Sequence, residues 1–465
     1  MKRIAVIGGG VTGLGAAYTL EKNRRKAGEL EFVLFEASPR FGGVVRTERA
    51  GDFLIEAGPD SFLTEKTWAA DLCRELGLGD QLIVSNDGDR RTYVLVNGSL
   101  VPLFDGLTFM VPTELRAAMV SPLFSWPTKL RMIREWFYRP VHEARESSVA
   151  EFVERHYGRE MVERVADPLL TGVYGSSADE LSVTSVLPRY VEIEAKQGSL
   201  TRAMVRTRKS HPAPRPALFT SLKGGMQTMT DALAAQVPQA ARRPQAPVEA
   251  VKPESGKWLV IARSRPEEFD GVILALGAPS AARLFSSDLP QLAGELDSIR
   301  YSSSIVAALA YDSKVRASLP EGFGFLVPRT EGKRILACTF VDQKFPHRAP
   351  ENSALLRCVM GGSRDEAAMR LSEEEMENLT RAELREILGI TAEPLFVKIF
   401  RWPSAMAQYG IGHKARIERI GRLVSSIRGL ALAGNGFGGI GIPDCIRSGH
   451  EAAAKVMADL AMSTL

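Results

Sequence analysis

Residues 4–15 read IAVIGGGVTGLG, a short apolar run that passes through three glycines into a segment with helical periodicity. The run predicts a buried β-strand, and glycines at positions 8, 10 and 13 have the GxGxxG spacing of a dinucleotide-binding turn. The first glycine permits the tight turn, the second lets backbone approach a pyrophosphate, and the third lets the helix pack closely on the strand. The helix N-terminus adds free N–H groups and a positive dipole end. The predicted ligand contacts in this turn are Gly8, Gly10, Val11, Thr12 and Gly13.

A single carboxylate strengthens this interpretation. A second strand is predicted at residues 31–35, and the next residue, Glu36, lies 23 residues beyond Gly13. A βαβ dinucleotide site places an acid near this position, where it accepts hydrogen bonds from the adenosine ribose. A carboxylate there repels a 2′-phosphate, so the sequence disfavours NADP.

Three further glycine-containing stretches suit a cofactor that is buried along its length. Residues 40–47 (RFGGVVRT) let the chain wrap the cofactor a second time, which a flavin needs and a simple NAD dehydrogenase does not. Residues 56–60 (EAGPD) bring backbone close to a flat ring, although an ordinary turn explains them equally well. Residues 434–443 (GNGFGGIGIP) lie between a predicted strand and a predicted helix. The N-terminus of that helix would stabilise the anion of a reduced flavin.

The composition excludes several classes of protein. The 465 residues are 45% hydrophobic and 25% charged, with a formal net charge of +4, which is too weakly basic to indicate nucleic acid. The four cysteines are dispersed without a CxxC pair and no HExxH motif occurs, so neither a disulfide framework nor a metal site is predicted. No apolar run is long enough for a transmembrane span, and the chain opens without a signal-peptide core. A cytoplasmic location is therefore expected.

Seven segments, in order along the chain, resemble one known family. They are GPDSFLTEK (58–66), TYVLVNGSLVPL (92–103), DPLLTGVYGSS (167–177), GFGFLVP (322–328), FPHRAP (345–350), RWPSAMAQYGIGH (401–413) and GIPDCIRSG (441–449). On these motifs the sequence resembles the flavin amine-oxidase superfamily and, within it, the FAD-dependent porphyrinogen oxidases of haem synthesis. The resemblance implies an α/β fold, in which a discontinuous Rossmann-type FAD-binding domain is interrupted by an inserted helical domain and a mixed α+β substrate domain.

The corresponding division of the chain has five segments. They are a first FAD-binding segment (1–85), a hairpin plus a helical domain that faces substrate or membrane (86–214), a second FAD-binding segment (215–298), a strand-rich substrate-binding domain (299–400) and a third FAD-binding segment (401–465). The hairpin is predicted within residues 88–104, where alternating residues flank the turn-forming pair Asn97-Gly98.

The resemblance also implies an activity, the six-electron dehydrogenation of a cyclic tetrapyrrole to a porphyrin. Hydride leaves a methylene bridge for flavin N5, O₂ reoxidises the flavin to give H₂O₂, and three rounds aromatise the macrocycle. No side chain is a predicted catalytic acid or base. The FAD contacts expected beyond the first turn are Glu36, Arg40, Gly42, Gly43, Gly58, Pro59, Val248, Asn435, Ile440, Gly441 and Ile442. The expected substrate contacts are Arg91, Thr92, Thr171, Gly172, Phe325, Phe345 and Arg348.

Two substrates are compatible with this family, and the sequence favours coproporphyrinogen III over protoporphyrinogen IX. The protoporphyrinogen enzymes resemble one another in an Arg immediately before the hairpin strand, and this position is Thr92 here, preceded by Arg91. A basic cluster at 201–215 also suits a substrate with four carboxylates. One departure from the family is the turn GVYGSSADE, in which Ser176 and Ser177 replace the usual Gly and Asp.

Other functions stay open at this point. A different oxidase of the superfamily, acting on amines or isoprenoid chains, would keep every FAD motif. A non-catalytic module that binds a membrane surface or a partner protein would instead use amphipathic segments in 110–150. Their apolar residues lie either on lipid or in the core of the helical domain. These residues are Met110, Leu123, Phe124, Trp126, Trp136 and Phe137. The oligomeric state, monomer or homodimer, is also open.

Overall fold

The computed structural model describes residues 1–28, 30–141, 146–210 and 217–460 of the chain. Within these ranges, strands occur along nearly the whole length. Their bounds are β1 (Lys2–Ile7), β2 (Leu30–Phe35), β3 (Thr47–Ala50), β4 (Phe53–Glu56), β5 (Phe62–Leu63), β6 (Leu82–Val84), β7 (Thr92–Val96), β8 (Ser99–Pro102), β9 (Leu107–Thr108), β10 (Val111–Pro112), β11 (Phe219–Leu222), β12 (Arg242–Arg243), β13 (Val248–Glu254), β14 (Lys257–Ala262), β15 (Arg265–Phe269), β16 (Gly271–Leu274), β17 (Tyr301–Tyr311), β18 (Gly324–Leu326), β19 (Ala337–Phe340), β20 (Ala354–Gly361), β21 (Phe396–Ala407) and β22 (Leu430–Leu432).

Helices flank the strands and dominate the stretch between residues 115 and 210. Their bounds are α1 (Val11–Ala27), α2 (Trp68–Glu75), α3 (Leu115–Val120), α4 (Trp126–Glu135), α5 (Val149–Tyr157), α6 (Arg159–Met161), α7 (Asp167–Tyr174), α8 (Val183–Val186), α9 (Pro188–Gln197), α10 (Leu200–Ser210), α11 (Gln227–Gln236), α12 (Ala278–Phe285), α13 (Pro290–Asp297), α14 (Ser313–Ser318), α15 (Val341–Lys344), α16 (Glu373–Leu388), α17 (His413–Ser425) and α18 (Ile442–Asp459). No helix in the described ranges has both the length and the apolar character to cross a membrane.

A five-stranded parallel sheet carries the N-terminal glycine turn. Its strand order is β12-β2-β1-β16-β22. β1 and β2 belong to the first 35 residues, whereas β12 and β16 lie at 242–274 and β22 at 430–432. The predicted strand–helix–strand start is confirmed. The sheet is also assembled from three separate regions of the chain, as the predicted discontinuous Rossmann-type domain requires.

The first and the last long helices lie on the same face of this sheet. α1 and α18 share one apolar core that includes Leu14, Ala17, Ala453 and Val456, all of them fully buried. Each helix follows a strand of the parallel sheet, α1 after β1 and α18 after β22. Both helices therefore begin at the carboxyl edge of the sheet, which is where doubly wound sheets bind their ligands.

A seven-stranded sheet packs against this unit. Its order is β21-β17-β20-β19-β18-β7-β8, with β18 and β7 parallel and the other pairs antiparallel. The β7–β8 hairpin turns at Asn97 and Gly98, which confirms the predicted hairpin. One face of the sheet shares a core with α16. The other face packs on β4 through Ile55, Val306 and Ala308, so this sheet lies directly against the strand that leads into residues 56–60.

The proposed division of the chain into five segments stays a prediction. The β7–β8 hairpin, placed with the helical domain, pairs with β18 and so extends the seven-stranded sheet. Strand β21 runs across the boundary placed at residue 400 and pairs with β17 along its length.

A buried charged cluster lies at the centre of the helical region. His156 on α5 is fully buried, with Nδ1 3.1 Å from Glu135 Oε1 and Nε2 3.1 Å from Glu194 Oε1. Glu135 on α4 also accepts hydrogen bonds from the backbone N–H groups of Leu200 (2.6 Å) and Thr201 (3.3 Å). The cluster thus joins α4, α5, α9 and α10 and closes the N-terminus of α10.

Candidate functional site

The glycine turn after β1 leaves space where a ligand is expected and none elsewhere. A Cβ at Gly13 would lie 1.8 Å from the Gly8 carbonyl oxygen, and one at Gly8 would lie 2.4 Å from the Ala275 carbonyl oxygen. Both glycines are therefore required by close packing of the backbone. A Cβ at Gly10, by contrast, would meet no atom within 4 Å. The open side of the turn is at Gly10, where the sequence places the pyrophosphate.

Two helix N-termini open onto the same edge of the sheet. α1 begins after Gly10 and α18 after Gly441, and neither cap residue supplies a side-chain acceptor to the first-turn N–H groups. α1 is 17 residues long and has no acidic residue in its first turn, so it offers a positive dipole end to an anionic group such as a pyrophosphate. The first turn of α18 differs, because Pro443 has no N–H and the Asp444 carboxylate, which pairs with Lys66 (2.6 Å), already lies there.

We call the site formed by the glycine turn 8–13 and the N-termini of α1 and α18 the cradle. Glu36 lies beside the glycine turn of this cradle. Its Oε2 accepts a hydrogen bond from the Gly9 N–H (2.7 Å) and its Oε1 from the Ser38 N–H (2.7 Å), which fixes the carboxylate beside the glycine turn. The Ala246 N–H donates to the Glu36 carbonyl oxygen (2.8 Å), and this contact brings the segment that leads to Val248 alongside. The structure thus places Glu36 and Val248 at one end of the cradle.

The second glycine stretch folds over the first. The Gly42 N–H donates to the Gly9 carbonyl oxygen (2.8 Å), so residues 42–43 lie against the turn. The Arg40 guanidinium donates to the carbonyl oxygens of Phe41 (3.0 Å), Val45 (3.1 Å) and Gly43. Burial lowers the pKa of Arg40, and the neighbouring Arg46 lowers it further. Arg40 therefore shapes this loop through its carbonyl groups and brings positive charge to the cradle.

Two tyrosines, the buried Tyr409 and the half-buried Tyr301, hold the C-terminal glycine loop. The Tyr409 hydroxyl donates to the Asn435 carbonyl oxygen (2.7 Å) and accepts from the Gly439 N–H (2.8 Å). The Tyr301 hydroxyl donates to Asn435 Oδ1 (3.1 Å). Burial raises the pKa of Tyr301 to about 12, so its hydroxyl stays protonated. These contacts fix the loop that ends at Ile440, Gly441 and Ile442, and sequence reasoning missed both tyrosines.

Residues 56–60 are fixed from the side of the seven-stranded sheet. Trp402 Nε1 donates to the Ala57 carbonyl oxygen (2.7 Å), and Arg357 Nη2 donates to the Gly58 carbonyl oxygen (2.5 Å). Gly58 is buried and Pro59 half-buried. Trp402 lies within the quoted RWPSAMAQYGIGH motif, whereas nothing in the sequence around Arg357 indicates its contact.

The predicted substrate residues do not gather as the cradle residues do. Phe325 is 1% exposed and belongs to the core between the seven-stranded sheet and α16. Arg348 is also 1% exposed; its Nη2 donates to the Ser221 hydroxyl (2.6 Å) and lies 3.1 Å from Glu56 Oε1. Phe345 is buried beside it, with the Arg348 guanidinium 5.8 Å from the ring centroid. These three side chains lie in packed interior.

The other four lie in two separate places. Arg91 is exposed and Thr92 half-buried at the start of β7. On α7, Thr171 is buried and donates from Oγ1 to the Asp167 carbonyl oxygen (2.7 Å). Gly172 beside it is half-buried, with no atom within 4 Å of a built Cβ. Gly172 is therefore the member of this set with open space around it.

The departure from the family at Ser176 and Ser177 has a local explanation. Glu180 Oε2 accepts hydrogen bonds from the hydroxyls of Ser176 (2.9 Å), Ser177 (3.3 Å) and Ser363 (2.8 Å). Both serines are buried, so their hydroxyls need this partner. Glu180 thus stabilises the turn and ties it to residue 363, beyond the end of β20.

The cradle fits FAD, because an uncapped helix end, an acid directly after β2 and a glycine turn with open space at Gly10 occur together at the carboxyl edge of the parallel sheet. The chain also matches the family model described as flavin containing amine oxidoreductase over residues 11–457. It is 33% identical over 464 residues to coproporphyrinogen III oxidase of Bacillus subtilis, with 98% of each chain covered. It is 28% identical to the mitochondrial protoporphyrinogen oxidase of Nicotiana tabacum, with 99% of this chain and 95% of that protein covered.

A solved structure from Exiguobacterium, assigned as a protoporphyrinogen oxidase, superposes with a TM-score of 0.88 at 29% identity and covers 99% of both chains. The α/β fold and FAD as cofactor, both predicted from the sequence, are confirmed. The matched family, the full-length relatives and the geometry of the cradle agree, and the chain belongs to the flavin-containing amine oxidoreductases.

Proposed function

We propose that this protein is an oxygen-dependent FAD oxidase that converts coproporphyrinogen III to coproporphyrin III in haem biosynthesis, with release of H₂O₂. The observation that carries the proposal is the similarity to a coproporphyrinogen III oxidase over 98% of both chains, combined with an intact cradle. Protoporphyrinogen IX is the alternative substrate, because a protoporphyrinogen oxidase is also similar over the full length.

The described residues supply binding and orientation rather than proton transfer. When bound, FAD supplies the hydride acceptor of the reaction. The N-terminus of α1 favours negative charge on the bound cofactor, and Glu36 supplies hydrogen-bond acceptors for its ribose. The hydroxyls of Tyr301 and Tyr409 keep the C-terminal loop in place. Fixed orientation of the reacting carbon against the cofactor is the main contribution that the protein makes.

Internal pairing restricts which cations serve the substrate's carboxylates. Arg202 donates to the carbonyl oxygens of Trp136 (2.7 Å), Tyr138 (3.1 Å) and Gln197 (2.6 Å). Arg208 pairs with Glu114 (2.6 Å). Two members of the predicted basic cluster at 201–215 thus have partners inside the protein, and residues 211–215 of that cluster lie outside the described residues. Arg91, exposed next to Thr92, stays a predicted carboxylate partner.

The substrate assignment is tested by aerobic turnover of both porphyrinogens, followed by porphyrin fluorescence against the rate without enzyme. We expect a kcat/KM for coproporphyrinogen III about tenfold or more above that for protoporphyrinogen IX, since one charge-assisted hydrogen bond to either of its two additional carboxylates is worth such a ratio. An inverted ratio would favour the alternative substrate, equal kcat/KM values would contradict a preference for coproporphyrinogen III, and no rate above the spontaneous oxidation would contradict both.

Thr92 offers a specificity test within the same assay. An Arg at this position is the feature of the protoporphyrinogen enzymes that this sequence lacks. We expect Thr92→Arg to lower the ratio of kcat/KM values for the two porphyrinogens, whereas the matched variant Thr92→Ser leaves it unchanged. A ratio that is identical in all three proteins would remove Thr92 from substrate selection.

We also propose that the protein attaches peripherally to an anionic membrane surface through α4. Trp126, Leu130 and Ile133 recur on one face of α4, and Phe137 follows just beyond its end. These four side chains are 67%, 62%, 41% and 72% exposed. Exposed Arg131 and Arg134 on the same helix supply charge that complements anionic lipid. Of the apolar residues considered from the sequence, Met110, Leu123 and Phe124 are instead core residues of the helical region.

Sedimentation with vesicles of phosphatidylcholine and phosphatidylglycerol tests this attachment. We expect binding that weakens with salt and is lost in Trp126→Gln/Phe137→Gln, because apolar area and charge both contribute. The matched control is Leu395→Gln, at a residue that is 59% exposed elsewhere on the surface. Binding that is equal in all proteins would exclude α4 as the attachment site. The cytoplasmic location and the oligomeric state stay predictions.

A further inference from the structure

Three basic side chains converge on the segment 56–60, which we call the 56–60 loop. Arg357 donates from Nη2 to the Gly58 carbonyl oxygen (2.5 Å) and from Nε to the Glu56 carbonyl oxygen (3.3 Å). Lys344 Nζ lies 2.9 Å from Asp60 Oδ2. Arg348 pairs with the Glu56 carboxylate. These cations lie on or next to strands of the seven-stranded sheet, so the loop is held by the opposite layer of the molecule.

The pair formed by Arg348 and Glu56 is buried on both sides. The side chains are 1% and 2% exposed. The Glu56 carboxylate also accepts from the Met226 N–H (2.9 Å) and from the Thr47 hydroxyl (2.8 Å). A buried guanidinium without a carboxylate would be strongly destabilising, so Arg348 is committed to Glu56. It is therefore badly placed to reach a carboxylate of the substrate.

The packing around this pair leaves a small cavity. Glu56, Phe345, Arg348 and Arg357 line it together with Asp60. Arg348 Nη1 is buried and has no hydrogen-bond partner among the described residues. The cavity lies at the contact between the 56–60 loop and the seven-stranded sheet, where these charged side chains meet an apolar wall that includes Phe345, Val341 and Leu355.

We propose that Arg348 and Arg357 are positioning residues of the FAD site: Arg357 sets the backbone of the 56–60 loop, and Arg348 sets its carboxylate anchor through Glu56. The 56–60 loop is joined to the second glycine stretch of the cradle, since the Ala57 N–H donates to the Arg46 carbonyl oxygen (2.9 Å). The proposal therefore concerns the FAD cradle and holds whichever porphyrinogen is the substrate. It also reassigns Arg348 and Phe345 from substrate contact to support of the cradle.

Arg357→Lys tests the first arm, since a lysine cannot reach both carbonyl oxygens in the same geometry. We expect the Kd for FAD to rise about tenfold, for the loss of a charged hydrogen bond, and the visible spectrum of the bound flavin to shift. The control is Arg381→Lys on α16, whose ion pairs with Glu377 and Glu393 lie away from the loop. An unchanged Kd and spectrum in Arg357→Lys would overturn this arm.

Arg348→Met and Glu56→Gln test the second arm against direct substrate binding. A positioning role predicts that both variants weaken FAD binding and lower kcat on the two porphyrinogens by the same factor. Direct binding of substrate by Arg348 predicts instead that Glu56→Gln changes neither FAD affinity nor the kinetic constants. It also predicts that Arg348→Met raises KM, more for the tetracarboxylate than for the dicarboxylate, and leaves FAD affinity unchanged. That second pattern would overturn the proposal. If either single variant does not fold, the double variant Arg348→Met/Glu56→Gln, which leaves no buried charge unpaired, decides alone, and a Kd for FAD equal to that of the unmodified protein overturns the proposal.

Discussion

Two helix N-termini of this molecule differ in what accepts hydrogen bonds from the N–H groups of the first turn. The first turn of α10 is closed by an internal carboxylate, because Glu135 accepts from the N–H groups of Leu200 and Thr201. The first turn of α1 begins after Gly10, which has no side chain and so supplies no side-chain cap. The comparison teaches that an uncapped helix end at the edge of a parallel sheet is a ligand site, whereas a capped end inside a bundle is structure.

Closing the open terminus of α1 is expected to have the largest effect. Gly10 has φ −69° and ψ 180°, which any residue adopts, and a side chain there meets no atom within 4 Å. In Gly10→Asp we expect FAD affinity to fall roughly a hundredfold, because the new carboxylate faces the pyrophosphate. The apoprotein should become more stable by about 0.5 kcal/mol through the new cap.

Fluorescence titration with FAD and thermal unfolding of the apoprotein measure these two effects. The control is Gly13→Ala, in which the added Cβ collides with the Gly8 carbonyl oxygen and lowers the stability of the apoprotein itself. If Gly10→Asp binds FAD as tightly as the unmodified protein, the open terminus is not the pyrophosphate site.

Disrupting the cluster that closes the N-terminus of α10 should lower the unfolding free energy and leave the affinity for FAD unchanged. Burial lowers the pKa of His156, but hydrogen bonds to Glu135 and Glu194 outweigh burial and raise it above the ordinary value. His156→Gln removes the charge between two buried carboxylates and should cost roughly 3 kcal/mol of unfolding free energy.

The pH dependence of that cost has a definite sign. The contribution of a histidine with a raised pKa is complete below its unfolded pKa, about 6.5, and is lost as the pH rises through the folded pKa. Glu135 and Glu194 have lowered pKa values despite burial, so their contribution is lost only in acid, as the pH falls through their folded values. Urea unfolding should show the largest difference between the two proteins near pH 6 and a smaller one in alkaline buffer. A difference that grows with pH would contradict the assignment of a charged His156.

The ribose end of the cradle should respond more mildly. Glu36→Gln keeps the shape of the side chain but replaces charge-assisted hydrogen bonds with neutral ones, so we expect about a tenfold rise in the Kd for FAD. Isothermal titration of the apoprotein measures it. Glu31→Gln, at an exposed position of β2, is the matched control. Equal FAD affinities in the unmodified protein and both variants would contradict binding of the ribose by Glu36.

The smallest effect is expected at Phe325. Because this ring is in the core beneath α16, Phe325→Leu should lower the unfolding free energy by about 1 kcal/mol and leave KM unchanged. Steady-state kinetics at constant FAD saturation provide the check, with denaturant unfolding alongside. A several-fold change in KM would contradict a purely structural role and support the predicted contact between Phe325 and the substrate.

The sequence anticipates the cradle far better than the substrate side, and the reason is physical. At Gly13 and Glu36 the chemistry restricts the residue type. A Cβ at Gly13 would lie 1.8 Å from a carbonyl oxygen, so only glycine fits there, and the position of Glu36 requires an acid to bind the ribose. A buried Phe or Arg looks the same in the sequence whether its side chain lines a cavity or packs in a core. The positions of the Phe325 and Arg348 side chains could therefore not be predicted from the sequence. Contacts such as Arg357 to Gly58 span about 300 residues and leave no local pattern.

The most direct test of the central claim, that an open cradle holds FAD for the oxidation of coproporphyrinogen III, is one anaerobic mixing experiment. FAD-loaded protein is mixed with coproporphyrinogen III while flavin absorbance is recorded, and air is then admitted with peroxide and porphyrin quantified. We predict that the flavin absorbance bleaches on mixing and returns in air, with three H₂O₂ formed per porphyrin, as six-electron oxidation requires. A flavin that stays oxidised, or porphyrin formed without peroxide, would contradict it.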